Sequence, residues 1–207
     1  CPRVAHVQKI IRKYASQGYE ILILGDAEHP EVNGLLGFAG GRGRVIGDLS
    51  AIDRLSDPGK VCVVAQTTQD VEKFREMVAR IRERFPDAVV FDTICDSTER
   101  RQTEVKQLAA EMDAIFVVGG KNSANTCRLA TLSELQGKPT FHIETVEDVD
   151  GIDIGRFDRI GVSAGASTPN WIIDRVVATL TERKSESRGR SRRLMRLWSF
   201  LVRTDIY

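Results

Sequence analysis

No stretch of this 207-residue chain is long and apolar enough to span a bilayer as a helix. The N-terminus, CPRVAHVQKIIRKY, lacks the basic-then-apolar order of a secretory signal. A cytoplasmic protein is the expectation from both absences. Net charge is also nearly absent. The 30 Lys and Arg against 29 Asp and Glu leave +1 at pH 7, which supplies no global field for nucleic acid and makes every charge argument local. No CxxC pair exists among Cys1, Cys62, Cys95 and Cys127, which argues against a zinc ribbon; a reducing cytosol disfavours disulfides. The standard phosphate fingerprints are missing too. GGKNSANT does not match GxxxxGK(S/T), no GxGxxG follows a first strand, and GGRGR at 40–44 opens no helical pattern.

What is present is an ordinary globular composition, 42% apolar and 29% charged, in a chain long enough for one or two domains with real cores. It begins at Cys1 rather than Met, which reads as a fragment or a processed chain. Helical spacing runs over residues 4–17 and ends at Gly18. EILILGD then reads as a buried strand, followed by a Gly-rich polar loop over 26–44 and a short strand at RVIG. Pro58-Gly59 marks a turn into the strand KVCVVAQTT, where Cys62 reads as a small buried apolar residue. A helix over 70–84 buries Val71, Phe74, Val78 and Ile81.

The same order repeats: strand AVVFDTI ending at Cys95, helix 98–111, strand AIFVVGG, helix 126–135, strand TFHIE, strand RIGVSAGAS, and a helix from about Pro169 to Thr181. Cys127 opens the helix at 126–135 with no evident partner and reads as structural. Alternating strands and helices predict an α/β fold of mainly parallel sheets flanked by helices. Two α/β domains are expected, 1–91 and 92–183. Residues 184–207 read as a basic linker and amphipathic tail, or as a solvated tail or the opening of a further domain.

Ligands of open α/β sheets bind beyond the carboxyl ends of the strands. This sequence places His29-Pro30-Glu31, Gln66-Thr67-Thr68, Cys95-Asp96-Ser97-Thr98, Asn122-Ser123 with Asn125, and Ser167-Thr168 there. Any one of these loops reads as readily as a helix cap. Five together point to a site for phosphate or diphosphate built from neutral donors and helix N-termini. His29, when protonated, can donate to a phosphate oxygen. Glu31 is a carboxylate in a loop able to close on a ligand, where burial would make it a proton donor. Cys1 and Cys95 are candidate metal or cluster thiolates.

Cys1-Pro2-x-Val4, HPEVNG at 29–34, QTT at 66–68, DTIC at 92–95 with RQ at 101–102, GGKNSANT at 119–126 and AGASTP at 164–169 occur in one order. The set resembles the 4-hydroxy-3-methylbut-2-enyl diphosphate reductases, the last enzymes of the methylerythritol phosphate route to isoprenoids. The resemblance runs from Cys1 to about residue 183. It implies a trefoil of three α/β domains around a [4Fe–4S] cluster held by three cysteines, with this chain similar to the second and third domains. It implies reductive removal of the allylic hydroxyl as water, giving isopentenyl and dimethylallyl diphosphate, with electrons from a donor such as ferredoxin or flavodoxin.

By the same resemblance, Cys1 and Cys95 are two of the three cluster ligands and Glu31 is the proton-delivering acid. Thr67 orients substrate and relay, and His29, Ser123, Asn125 and Ser167 bind the diphosphate. The third cysteine belongs to the family's N-terminal domain, so this chain alone is expected to be inactive within an active longer polypeptide. The alternative is an α/β module that binds phosphate without chemistry. Ala124 stands where the family's motif has a second serine, a loss of one neutral hydrogen bond worth about 1 kcal/mol. Gln8 stands where the family often has histidine. Beyond the resemblance, the basic and apolar residues over 190–203 are candidates for contact with an anionic membrane surface.

Overall fold

The structure is a computed structural model that describes residues 1–56 and 59–188. Pro58 of the expected turn and the candidate membrane segment 190–203 lie outside the described residues; Gly59 has φ +73°, a left-handed conformation that favours glycine. The chain divides into two compact units, Cys1–Glu99 and Arg100–Tyr207.

In the first unit α1 (Pro2–Ser16) leads to β1 (Glu20–Leu24), α2 (Pro30–Leu36), β2 (Gly43–Ile46), α3 (Leu49–Asp53), β3 (Val61–Ala65), α4 (Val71–Arg84) and β4 (Val89–Val90). The four strands form one parallel sheet in the order β2-β1-β3-β4. The run VCVVA is buried at every position because both sheet faces are covered. Leu22, Leu24, Val63 and Ala65 pack with Phe74, Met77 and Ile81 of α4, whereas Ile21, Ile23, Cys62 and Val64 pack with Val7 and Ile11 of α1. This alternation is the period of two of a strand. Each such side chain withdrawn from water contributes about 1.5–3 kcal/mol.

The first unit ends within α5 (Asp96–Glu111) rather than at residue 91. The expected strand AVVFDTI is correspondingly cut to Val89–Val90. The hydroxyl of Thr93 takes the place of a strand neighbour: it accepts from the N–H of Ala65 (2.8 Å) and donates to its carbonyl (2.7 Å). A side chain has satisfied backbone groups that a longer β4 would have paired, and DTIC thereby stays with the first sheet.

The second unit carries β5 (Ala114–Val118), α6 (Ala124–Leu135), β6 (Thr140–Ile143), short 3-10 turns at Val146–Val149 and Ile154–Arg156, β7 (Ile160–Ala164) and α7 (Asn170–Arg188). Its parallel sheet runs β6-β5-β7. Phe116 and Val118 face Val176 and Leu180 of α7, and Ile115 and Val117 face Val105, Leu129 and Leu132 of α5 and α6. The linker expected from residue 184 is helical through Arg188. Lys184 is buried, and its Nζ donates to the carbonyls of Gly155, at 3.3 Å, and Phe157.

Candidate functional site

Because β1 and β3 are parallel and in register at Leu24 and Ala65, their carboxyl ends open on one edge. Gly25 follows β1 against Gln66. A Cβ at Gly25 would stand 2.9 Å from Val32 Cγ2 and 3.0 Å from Gln66 Oε1, so the close approach requires glycine. Buried Gln66 then ties the two loops: its Oε1 accepts from the N–H of Asp26 (2.9 Å) and its Nε2 donates to Thr68 Oγ1 (3.0 Å).

The loop expected over 26–44 contains a helix. His29 caps α2, Pro30 occupies its first turn, and Nδ1 of His29 accepts the N–H of Glu31 at 3.2 Å. An accepting Nδ1 places the neutral ring's proton on Nε2, so His29 has a donor to offer without becoming charged. Glu31 sits in the first turn of α2, half-buried, rather than on a closing loop. Its Oε1 accepts from the N–H of Thr67 (2.7 Å) and its Oε2 from the Thr67 hydroxyl (2.9 Å). The carbonyl of Thr67 accepts the N–H of Cys95 at 2.9 Å. Acid, threonine and cysteine share one backbone junction.

Of the four free cysteines, Cys1 is exposed and Cys95 half-buried, whereas Cys62 is fully enclosed. Burial pushes the Cys62 thiol up to about 12, which leaves it no role as a thiolate. Cys127 has a partner after all, its Sγ donating to the Lys121 carbonyl at 2.9 Å. An Arg3–Asp96 ion pair joins the first turn of α1 to the first residue of α5. Cys1 and Cys95 each lie beside that pair in sequence. Thiolates are soft ligands of the kind that hold iron–sulfur clusters. No group of three or more His, Cys, Asp or Glu able to hold a metal exists among the described residues.

In the second unit the carboxyl ends of β5 and β7 meet the N-terminus of α6. Ser123 caps α6 by accepting the N–H of Thr126 at 3.4 Å. Thr168 Oγ1 donates to the Val118 carbonyl at 2.9 Å, which holds the turn carrying exposed Ser167 against the end of β5. Gly119, at φ +146°, and Gly165 are both pressed on Thr126; a Cβ at Gly165 would overlap the Thr126 hydroxyl. Asn125, only 7% exposed, has no partner among the described residues for either Oδ1 or Nδ2, and neither has the Thr126 hydroxyl. Buried polar groups are ordinarily hydrogen-bonded, so an orphaned amide at a helix N-terminus points to a ligand.

The first unit therefore brings His29, Glu31, Thr67, Cys95 and Cys1 to one end of its sheet, and the second brings Ser123, Asn125 and Ser167 to one end of its own. Sequence reasoning passed over His142 and Glu144. His142 Nε2 bonds the Gly119 carbonyl (2.9 Å) and Glu144 Oε1 accepts the N–H of Lys121 (2.8 Å), bracing the turn before Ser123. Extending the strand-end rule to TFHIE would have found them.

A family model described as LytB protein matches residues 1–181. The chain belongs to the LytB protein family. It is 43% identical over 190 residues to the 4-hydroxy-3-methylbut-2-enyl diphosphate reductase of Geobacter sulfurreducens, covering 91% of this chain and 67% of that protein. To the enzyme of that name from Opitutus terrae it is 45% identical over 181 residues, covering 87% and 63%. The chain thus spans about two thirds of the length of these curated LytB relatives. A solved structure of the E-1-hydroxy-2-methyl-but-2-enyl-4-diphosphate reductase from Plasmodium falciparum superposes with a TM-score of 0.84 at 28% identity, covering 87% of this chain and 58% of that one.

Proposed function

We propose that this chain is the part of a 4-hydroxy-3-methylbut-2-enyl diphosphate reductase that binds the diphosphate, supplies the proton and contributes two cluster thiolates. The family membership and the named relatives support the reaction. The allylic hydroxyl leaves as water on addition of two electrons and two protons, giving isopentenyl and dimethylallyl diphosphate. One observation carries the reading: Glu31 is held at both oxygens by Thr67, whose carbonyl takes the N–H of Cys95. The carboxyl read as the proton donor and the thiol read as an iron ligand meet at one junction.

Cys1 and Cys95 would hold a [4Fe–4S] cluster together with a third thiolate from outside the described residues. When bound, the cluster supplies the electrons and a Lewis-acidic iron. Glu31 delivers a proton to the departing hydroxyl, and Thr67 fixes the direction of that transfer. In the first unit Nε2–H of His29, and in the second the side chains of Ser123, Asn125 and Ser167 with the free N–H groups opening α6, are donors suited to diphosphate oxygens. An electron donor such as ferredoxin or flavodoxin completes the proposal. A cytoplasmic setting suits its free cysteines; among the described residues no helix is long and apolar enough to cross a membrane.

The test is iron and acid-labile sulfide after anaerobic reconstitution of this chain beside an N-terminally extended form that supplies a further cysteine. About four irons in the extended form, with turnover, and little iron in the shorter one are expected. Cys95→Ser removes that iron and Cys127→Ser leaves it. No stable iron in either form would overturn the reductase reading and leave a phosphate-binding module.

A further inference from the structure

The backbone of Cys95 is fixed on both sides. Its N–H is held by Thr67, and its carbonyl accepts the N–H groups of Thr98 (2.7 Å) and Glu99 (3.0 Å) at the start of α5. Its sulfur lies 3.1 Å from the hydroxyl oxygen of Ser97, its one hydrogen-bond partner among the described residues. As a thiol, either group can donate. A ligating cysteine carries no proton, so once Cys95 holds iron the Ser97 hydroxyl is the donor of this pair.

We infer that Ser97 donates a hydrogen bond to the cluster-ligating sulfur of Cys95 and thereby raises the reduction potential of the cluster. This rests on the reading of Cys95 as a cluster ligand. Reduction adds negative charge that spreads onto the ligating sulfurs. A donor aimed at one of them stabilises the reduced state more than the oxidised one, and such hydrogen bonds are an established lever on cluster potentials. Ser97 acts through the sulfur of Cys95, which makes it a positioning residue. The consequence is a cluster that a weaker electron donor can reduce.

The experiment is a redox titration, followed by electron paramagnetic resonance, of the reconstituted N-terminally extended protein with Ser97, Ser97→Ala and Ser97→Thr. Iron and sulfide are measured on each sample. Equal cluster content is expected in all three, with a more negative midpoint in Ser97→Ala and a near-native one in Ser97→Thr, which keeps the hydroxyl. An iron–sulfur stretch in resonance Raman that moves only in Ser97→Ala would agree. Equal loading with an unchanged midpoint in Ser97→Ala overturns the role of Ser97 and leaves the reductase reading standing. A protein with Ser97 intact that takes up no cluster overturns both.

Discussion

Thr67 gives Glu31 two hydrogen bonds, one from its backbone and one from its side chain. The backbone bond does not depend on the side chain, whereas the hydroxyl bond is removed by Thr67→Val with little change in shape. A hydrogen bond to a charged group is worth about 1.5–3 kcal/mol, so kcat in the extended enzyme should fall on the order of tenfold to a hundredfold. Glu31→Gln removes the proton itself and should cost at least about a hundredfold, with the iron content unchanged. The two residues act as one unit, so adding Thr67→Val to Glu31→Gln should cost little more. Steady-state rates of the four proteins decide this. Fully additive losses would show that Thr67 acts on substrate by a separate route. Retained turnover in Glu31→Gln would remove Glu31 as the proton source.

Among elements, the strands were the most legible, because a parallel strand covered on both faces is a short unbroken apolar run. EILIL, VCVVA and AIFVV each show this. The helix α2 was hidden by the glycines at 34 and 37, although Pro30 at its start was a readable signal. The early end of β4 was not legible, because it depends on Thr93 reaching Ala65 across 28 positions of sequence. The second sheet is also braced by two aspartates whose effect on stability has a definite sign. Burial alone would raise Asp113, but the backbone N–H (2.8 Å) and guanidinium (3.0 Å) of Arg159 outweigh it and hold its carboxyl below the usual range. Asp148 is lowered by the N–H groups of Thr145 and Glu144, which it binds at the end of β6. A folded value below the unfolded one, about 3.9 for aspartate, gives stability that is fully present above that pH and lost as pH falls through the lowered folded values. Urea midpoints followed by fluorescence should therefore drop on acidification, and Asp113→Asn with Asp148→Asn should flatten the drop. An unchanged slope in the double variant would remove these two groups as its source.

At the scale of the whole chain, both sheets are parallel and every candidate residue but Cys1 follows the carboxyl end of a strand. That placement was legible from the order of elements alone. Not legible was which loop residues cap a helix and which have no partner, since that depends on tertiary contacts: Ser123 Oγ accepts as a cap, whereas the Asn125 amide has no partner among the described residues. Two buried, unpaired polar atoms cost about 1–3 kcal/mol each until something binds them. Asn125→Leu should accordingly leave the ligand-free chain as stable as before or more so, and should abolish the rise in Tm caused by inorganic diphosphate. The charge balance adds a second expectation. With a net charge of +1 and neutral donors around α6, long-range attraction contributes little, so raising sodium chloride from about 0.05 to 0.5 M, which shrinks the screening length severalfold, should change the diphosphate Kd only modestly. Calorimetric titration at the two salts checks this. A steep salt dependence that persists in Asn125→Leu would mean that lysine or arginine side chains, Lys121 first among them, hold the anion in place of the α6 N-terminus.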